Sequence, residues 1–320
     1  MSYKPIIIIN GEPNSIFLEI FLKSLKKKIK SPIILISSLK LLKFYMKKLK
    51  LKKKINLIDY KNIYKKKLNN NSINLINIEF KFEKNINKIS HRSKNFIKKS
   101  FEIGLKIIKE GKTHKFINGP ISKKSFLSKK YPGITEYIAR KTNIKKYAML
   151  IYNNDLSVCP LTTHIPIKNV SKKINKKNIC EKVLLINSFY KKYRRLKPKI
   201  GILGLNPHCE SIHEFNEDEK IVKPTVKYLR KLGYKISGPY PADTTFLKQN
   251  RKKFDVILGM YHDQVLTPLK TLYEYDAFNI TLGLPFMRIS PDHGPNEKMV
   301  GKNISDPTSL IKAITFLDQN

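Results

Sequence analysis

Short apolar runs alternate along this chain with segments whose apolar residues recur at helical spacing, and this alternation is what most constrains the fold. The runs at 6–9, 33–36, 116–117, 149–152, 200–205 and 256–260 predict buried strands. The segments at 16–25, 96–108, 179–190 and 221–232 predict helices, and 309–317 predicts a closing helix. Strands that alternate with helices are typical of an α/β protein with a largely parallel sheet. Residues 47–88 have weak periodicity, so no element is predicted there.

Length and the distribution of apolar residues favour two domains in a protein without a membrane anchor. The 320 residues, 41% of them apolar, can bury one large or two moderate cores. No stretch approaches the roughly 20 uninterrupted apolar residues of a membrane-spanning helix. The run at 6–9 lacks the basic leader and cleavage site of a signal peptide. We therefore expect a cytoplasmic protein that makes no membrane contact.

Positive charge is the most unusual property of the composition. The chain has 64 Lys and Arg residues against 24 Asp and Glu, a net charge of +40, and such an excess raises nucleic-acid binding as a hypothesis. The lysines are spread in pairs and triples among many isoleucines and asparagines, a bias that an AT-rich coding sequence produces. A solvated lysine surface is the favoured interpretation, and non-specific binding to polyanions follows from the charge in either case.

Three of the seven histidines follow predicted strands. His208 comes after the run at 200–205, His262 after the run at 256–260, and His164 after an apolar stretch that begins near Val158. Ligands of α/β proteins gather outside the carboxyl ends of strands. Neutral imidazole suits zinc, cobalt, nickel and iron, and three histidines leave coordination positions open for a substrate. The three residues predict a metal site that polarises a hydroxyl or carbonyl oxygen, although such long spacing is no metal motif by itself.

Two aspartates and one cysteine lie near these histidines in the sequence. Asp243 and Asp263 can orient metal ligands or transfer protons, or they can act as a turn residue and a helix N-cap respectively. Three cysteines without CxxC spacing predict neither a disulfide framework nor a zinc-cysteine cluster. Cys209 follows His208 directly, so a metal role stays open for it beside that of a small buried side chain.

A further group of polar residues suits an anionic substrate. The group comprises Thr135, Lys270, Asn279 and Arg288. Arginine presents a planar fork to a carboxylate or phosphate, whereas lysine supplies a compact charge. Arg288 follows an apolar segment in a chain where arginine is scarce. Thr135 can donate a hydroxyl hydrogen bond or cap the helix that follows it.

A series of short motifs supports a more specific interpretation. They are Asn10-Gly11-Glu12-Pro13, Asn118-Gly119-Pro120, Thr162-Thr163-His164, Gly204-Leu205-Asn206-Pro207-His208, Pro241-Ala242-Asp243-Thr244, Met260-Tyr261-His262-Asp263-Gln264, Asn279-Ile280-Thr281-Leu282-Gly283-Leu284-Pro285 and Asp292-His293-Gly294. Each piece is weak alone, but in this order they are specific. The chain resembles the 4-hydroxythreonine-4-phosphate dehydrogenase family of pyridoxal 5'-phosphate (vitamin B6) biosynthesis over most of its length.

The resemblance implies a homodimer of two-domain subunits, similar in fold to isopropylmalate and isocitrate dehydrogenases. Each domain would have α/β/α layers around a mixed, largely parallel sheet, with the active site in the interdomain cleft. Residues 1–130 with 288–320 would form the first domain, which includes the nucleotide loop. Residues 131–287 would form the second domain, which carries the metal histidines and the dimer contacts.

The resemblance also implies roles for individual residues. A divalent metal, zinc, magnesium or cobalt, would bind His164, His208 and His262. The phosphorylated substrate would contact Thr135, Lys270, Asn279 and Arg288. The loop that begins at His293 and Gly294 is similar to the adenine-nucleotide loop of related dehydrogenases and would bind NAD. The GxGxxG fingerprint of ordinary dinucleotide-binding folds does not occur in this chain.

The implied reaction oxidises the secondary alcohol of 4-phosphohydroxythreonine to a ketone and transfers a hydride to NAD. The metal would hold the alcohol and the neighbouring amine and lower the pKa of the alcohol. The product, 2-amino-3-oxo-4-phosphooxybutanoate, has its ketone β to the carboxylate, so it would lose carbon dioxide to give 3-amino-2-oxopropyl phosphate. Asp243, Asp263 and Lys270 are the candidate proton acceptors.

The chain departs from the family pattern at several positions. Ile134 stands where the family commonly has a histidine, residues 14–18 replace the usual Ala-Gly-Ile-Gly-Pro, and Pro295 and Asn296 replace Thr and Ala. These departures leave the choice between NAD and NADP open. They also keep open an alternative: a related metal-dependent dehydrogenase acting on another phosphorylated or carboxylated hydroxy compound. A basic protein that binds nucleic acid is a further alternative, which charge alone supports.

Overall fold

The computed structural model describes residues 3–65, 68–80, 93–122, 126–127, 131, 133–210 and 215–320. The strands of this part are β1 (Ile6–Ile9), β2 (Ile33–Ser37), β3 (Ile55–Leu57), β4 (Ile73–Asn77), β5 (Lys115–Asn118), β6 (Ala148–Tyr152), β7 (Ser157–Thr162), β8 (Ile200–Leu203), β9 (Ile236–Tyr240), β10 (Val256–Tyr261), β11 (Phe278–Leu282) and β12 (Met287–Pro291). The α-helices are α1 (Phe17–Ser24), α2 (Leu39–Lys48), α3 (Ser93–Lys109), α4 (Ile134–Lys141), α5 (Lys176–Phe189), α6 (Lys223–Lys231), α7 (Ala242–Thr245), α8 (Lys248–Arg251), α9 (His262–Tyr273) and α10 (Thr308–Gln319). Each predicted strand and helix is confirmed, with ends that differ by a few residues.

The first compact unit consists of Met1–Ile138 and Pro285–Asn320. Its strands follow the order β3-β4-β2-β1-β5-β12, and neighbouring strands in it pair in parallel. The four isoleucines of β1 are fully buried, and α3 and α10 pack against this strand. A continuous apolar run is what a parallel strand covered on both faces requires.

The second compact unit is Ala139–Leu284, with strands in the order β11-β6-β7-β10-β8-β9. The strand β6 pairs antiparallel with both β11 and β7, whereas β7, β10, β8 and β9 are mutually parallel along this order. The expected mixed, largely parallel α/β architecture is therefore confirmed. None of the described helices is long and apolar enough to cross a membrane.

Strands β3 and β4 lie in the segment for which no element was predicted. Asn74 interrupts the apolar run of β4, yet this residue is only 1% exposed. A polar side chain can be buried there because its amide donates hydrogen bonds to the backbone carbonyls of Ile33 and Asn69. One partner belongs to another strand and the other to a loop, so the local sequence does not indicate that Asn74 lies in a strand.

The boundaries between the two compact units differ from the predicted domain boundaries. The structure divides the chain after Ile138 and before Pro285, whereas the sequence predicted divisions at 130/131 and 287/288. Thr135 consequently lies in the first unit.

The loops after β1 and β5 approach each other closely at the carboxyl edge of the first unit. Gly11 has φ +73°, a left-handed conformation that favours glycine, and a Cβ there would meet the carbonyl of Pro120. Glu12 N donates to the Pro120 carbonyl at 2.8 Å. Position 11 therefore requires glycine for two reasons: its backbone conformation is left-handed, and a side chain would collide with the loop after β5.

Candidate functional site

The three predicted metal histidines lie at the exits of neighbouring parallel strands in the second unit. His164 follows β7, His208 lies in the 3-10 turn Pro207–Cys209 after β8, and His262 is the first residue of α9 directly after β10. Because β10 pairs with both β7 and β8 in parallel, the three exits share one edge of the sheet. His164 and His208 are exposed, and the side chain of His262 is 38% exposed. The shared edge is open to ligands.

Two of these histidines have unusual backbone conformations. His164 has φ +52° and His208 has φ +56°, both in the left-handed region. Non-glycine residues in this region cost on the order of 1–3 kcal/mol and cluster at functional sites. The conformation turns the chain abruptly after each strand, so it places each imidazole at the sheet edge.

Side chains join the three strand exits. Thr162 Oγ1 donates to the Met260 carbonyl at 2.7 Å, which links the exits of β7 and β10. Gln264 Oε1 accepts from Met260 N at 2.7 Å, and Gln264 Nε2 donates to the Gly204 carbonyl at 2.8 Å, which links the exits of β10 and β8. The sequence motif around His262 contains Gln264, but nothing in the sequence pointed to its bridging role.

Asp218 holds the backbone that leads to His208. This fully buried carboxylate accepts from Leu205 N at 2.8 Å and from Asn206 N at 2.9 Å. Burial, together with the negative charge of Asp218, raises the pKa of the Cys209 thiol to about 11. Cys209 is buried, which favours its interpretation as a packing residue.

His164 and His262 lie near each other at the sheet edge. Their ring centroids are 6.1 Å apart. His262 Nδ1 lies 2.7 Å from Asp263 Oδ1, which leaves Nε2 as the ligand nitrogen in the arrangement typical of metal-binding histidines. Among the described residues, no three His, Cys, Asp or Glu side chains form a metal-sized group, so His208 is not grouped with this pair.

The first unit contains a buried arginine cluster. Arg288 on β12 is fully buried; its Nε donates to Asn118 Oδ1 at 2.7 Å and its Nη1 to Thr135 Oγ1 at 3.3 Å. Burial lowers the pKa of Arg288 to about 9 and the nearby carboxylate of Glu136 raises it, so the guanidinium is charged at neutral pH. The sequence placed Thr135 and Arg288 in the group suited to an anionic substrate, but it did not predict that the two contact each other. The contact between Arg288 and Asn118 was not predicted. The sequence feature that could have indicated a role for Asn118 is its position at the end of a strand.

The other two predicted substrate residues belong to the second unit. Asn279 lies on β11, and its Oδ1 is buried without a hydrogen-bond partner among the described residues. Lys270 is half-buried on α9, two turns after His262. Buried acceptors without a partner are rare, so the Oδ1 of Asn279 fits a ligand that donates a hydrogen bond. Asp243, another candidate proton acceptor, is exposed on the short helix α7.

The loop between β12 and α10 carries the predicted nucleotide-binding residues His293 and Gly294. The Pro295 carbonyl of this loop accepts from Ile16 N at 3.2 Å, and His293 Nδ1 lies 3.0 Å from the Gly294 carbonyl. At the carboxyl ends of β1 and β2, the side-chain carboxamide of Asn10 and the hydroxyl of Ser37 are fully buried without a hydrogen-bond partner in the described part of the chain. Such polar groups fit a polar ligand on this edge of the first unit.

Comparison with known proteins identifies the family. The family model described as "Pyridoxal phosphate biosynthetic protein PdxA" matches residues 28–317. The chain belongs to the PdxA family. The resemblance expected from the ordered motifs is thereby confirmed.

Relatives of this PdxA-family chain have two different named activities. A 4-hydroxythreonine-4-phosphate dehydrogenase of Sulfurihydrogenibium sp. (strain YO3AOP1) is 40% identical over 95% of this chain and 94% of its own length. A D-threonate 4-phosphate dehydrogenase of Pectobacterium atrosepticum is 35% identical over 65% of this chain and 65% of its own length. The crystal structure of the 4-hydroxythreonine-4-phosphate dehydrogenase of Klebsiella pneumoniae has a TM-score of 0.81 and 27% identity, and covers 98% of each chain.

One departure from the PdxA pattern lies beside the arginine cluster. Ile134 is the first residue of α4 and directly precedes Thr135, which contacts Arg288. Ile134 is half-buried. An apolar side chain thus stands next to Thr135 and close to its partner Arg288, where a histidine would offer a hydrogen bond.

Proposed function

We propose that this protein oxidises 4-phosphohydroxythreonine with NAD and a divalent metal, in the biosynthesis of pyridoxal 5'-phosphate. The observation that carries the proposal is the 40% identity to a 4-hydroxythreonine-4-phosphate dehydrogenase over 95% of this chain and 94% of that enzyme.

The proposed metal ligands are His164, His208 and His262. When bound, zinc, magnesium or cobalt supplies Lewis-acid polarisation of the substrate's alcohol, and NAD supplies the hydride acceptor. The contact between His262 Nδ1 and Asp263 at 2.7 Å supports this assignment, because it orients the imidazole and presents Nε2. The rings of His164 and His262 also lie near each other, with their centroids 6.1 Å apart.

The proposed substrate contacts are Thr135, Lys270, Asn279 and Arg288. Arg288 would hold an anionic group of the substrate with charge-assisted hydrogen bonds, since its buried guanidinium is held in place by Asn118 and Thr135. The unpartnered Oδ1 of Asn279 would accept a hydrogen bond from an ammonium or hydroxyl group. Lys270 would add positive charge. His293 and Gly294 are the proposed contacts to NAD.

Three residues are proposed candidates for the group that accepts the hydroxyl proton: Asp243, Asp263 and Lys270. Asp263 is 76% exposed and contacts His262, so its geometry favours orientation of the imidazole. Removal of the proton and the hydride leaves a ketone β to the carboxylate. Loss of carbon dioxide is then easy, because the ketone oxygen takes up the electrons that the breaking bond releases, and 3-amino-2-oxopropyl phosphate results.

We further propose that the protein acts as a homodimer in the cytoplasm and binds no specific nucleic acid. The proposal rests on the PdxA family membership for the residues 28–317. The excess of lysine would produce only salt-sensitive, sequence-independent binding to polyanions.

The test is a spectrophotometric assay of the purified protein with NAD and 4-phosphohydroxythreonine, with zinc, magnesium and cobalt added separately. We expect NADH formation that requires the metal, and 3-amino-2-oxopropyl phosphate as product. No NADH at any metal concentration would contradict the proposed substrate. Repeating the assay with NADP decides the cofactor.

D-threonate 4-phosphate is the second candidate substrate. The relative from Pectobacterium atrosepticum supports it, as does Ile134 beside the substrate contacts. The two compounds differ at the carbon next to the carboxylate, which bears an amine in one and a hydroxyl in the other. A higher kcat/KM for D-threonate 4-phosphate in the same assay would establish this alternative, and restoration of activity toward 4-phosphohydroxythreonine by Ile134→His would locate the difference.

A further inference from the structure

The loop between β12 and α10, residues 292–307, is bonded to α1 at two points. Near its beginning, the Pro295 carbonyl accepts from Ile16 N at 3.2 Å, one residue before α1. Near its end, Ser305 N donates to Glu19 Oε1 at 2.8 Å, in the first turn of α1. The helix therefore supports the loop on both sides of its middle part.

The second point of attachment is a buried ion pair. Glu19 is 1% exposed, and its Oε1 also accepts from Lys23 Nζ at 3.0 Å. Lys23 Nζ donates further to the carbonyls of Asn303 at 3.1 Å and Ser305 at 2.8 Å. All three donors of the ammonium group are thus used. Hydrogen bonds to charged groups are the strong ones, so the pair fixes the backbone at 303–305 on the helix.

The turn that leads into α1 is braced by side chains where the PdxA pattern has glycines. Ser15 is buried, and its Oγ donates to the Glu12 carbonyl at 2.7 Å and accepts from Phe17 N at 3.3 Å. Phe17 is fully buried, with its ring against Gly119. Glycine is conformationally permissive, so these replacements reduce the freedom of the turn. In this chain α1 is a fixed support for the loop.

The loop has backbone conformations that need such support. Asn296 has φ +48° and Asn303 has φ +58°, both in the left-handed region. Asparagine tolerates this region better than most residues, but it still costs free energy there. The hydrogen bond from Lys23 to the Asn303 carbonyl holds the second of these residues in place. The contacts with α1 therefore help to maintain the shape of the loop.

We propose that Glu19 and Lys23 are a positioning pair that holds this loop in the shape in which His293 and Gly294 bind NAD. The inference rests on the proposed cofactor role of those two residues. The pair acts through the backbone at 303–305, which it bonds, and not through contact with the cofactor. A loop that is already in place avoids the cost of ordering when the ligand binds.

The test compares two substitutions in the pair with a matched control. Lys23→Met removes the ammonium group and keeps an apolar stem, whereas Glu19→Gln removes the charge and keeps an acceptor for Ser305 N. Lys223→Met is the control, because Lys223 Nζ also lies 3.0 Å from a glutamate four residues earlier, Glu219. Both members of that pair are exposed, and among the described residues the ammonium of Lys223 bonds to Glu219 alone.

Three measurements are made on each full-length protein. Calorimetry with Co²⁺ present gives the dissociation constant of NAD. Amide hydrogen exchange without ligand reports the order of residues 293–305. Steady-state kinetics give kcat and the KM values for NAD and for metal, so an effect on cofactor binding is separated from an effect on the metal site.

We expect Lys23→Met to weaken NAD binding by about tenfold or more, the factor that corresponds to loss of one hydrogen bond to a charged group. Its KM for NAD should rise and exchange at 303–305 should be faster, whereas the KM for metal and the kcat at saturating NAD should stay unchanged. Glu19→Gln should show the same pattern with a smaller change. The control should match the wild type.

Two failures are distinguishable. Faster exchange at 303–305 with unchanged NAD affinity in both variants would overturn this proposal, since a merely structural pair gives that result, and would leave the cofactor proposal standing. Absence of NAD binding in the wild-type protein would overturn the cofactor proposal and this one with it.

Discussion

The substitution Arg288→Lys tests the arginine cluster, because it retains the charge and removes the planar fork. Arg288 is fully buried, with Nε 2.7 Å from Asn118 Oδ1 and Nη1 3.3 Å from Thr135 Oγ1. A lysine ammonium is a single point donor on a flexible stem, so it cannot reach both acceptors in the same geometry. The variant therefore separates the role of the geometry from the role of the charge.

The expected magnitude follows from the two hydrogen bonds. A hydrogen bond to a charged group contributes about 1.5–3 kcal/mol, and the lysine can replace one of the two. We expect the free energy of unfolding to fall by about 2 kcal/mol. If the same fork holds the anionic group of the substrate in the transition state, an equal loss lowers kcat/KM by about 30-fold, since about 1.4 kcal/mol corresponds to a factor of ten.

The assay combines urea denaturation with steady-state kinetics for the substrate and for NAD. Arg230→Lys is the control, because Arg230 is exposed on α6 and the same change in chemistry occurs there without a buried network. We expect the control to differ from the wild type by no more than about 0.5 kcal/mol in stability and to have the same kcat/KM.

Two results would refute the reasoning. Stability and kcat/KM of Arg288→Lys equal to those of the wild type would mean that the charge alone matters and that the fork geometry does not. Reduced stability with unchanged kcat/KM would keep Arg288 as a structural residue and remove it from the substrate contacts.

Three further substitutions test other parts of the molecule. His208→Ala should sharply lower metal occupancy and turnover while the far-ultraviolet circular dichroism stays unchanged; the wild-type metal content in that variant would remove His208 from the site. Burial raises the pKa of Asp318, but hydrogen bonds from the backbone of Ser31 and Lys30 outweigh it and hold this pKa below its ordinary 3.8. The carboxylate therefore stabilises the fold above that pH, and this stabilisation is lost as the pH falls. Urea denaturation should give the wild type a higher free energy of unfolding than Asp318→Asn at neutral pH, and the difference should shrink near about pH 3. A difference that does not change with pH would contradict this. Glu19→Ala removes the acceptor of Ser305 N at 2.8 Å and should lower the free energy of unfolding by about 2 kcal/mol and speed amide hydrogen exchange at 303–305; unchanged exchange would contradict it.

Much of the secondary structure could be predicted because it depends on local periodicity. The four consecutive isoleucines of β1 and the helical spacing of α3 are properties of short windows of sequence. The strand β4 escaped prediction because Asn74 is satisfied by carbonyl groups of another strand and of a loop. The ordered motifs also sufficed to predict the PdxA family, since their residue types and order do not require knowledge of contacts.

The positions of the three histidines after strands were likewise a property of the sequence, because a strand exit can be located from the end of an apolar run. Which side chains hold those exits was decided only by tertiary structure. Gln264 contacts Gly204 across 60 residues, and Arg288 contacts Asn118 across 170. Such contacts depend on strand order and register, which bring distant segments together in space, and no local pattern specifies them. The sequence by itself determined which residues have suitable chemistry, whereas packing decided which of them are held in place and by what.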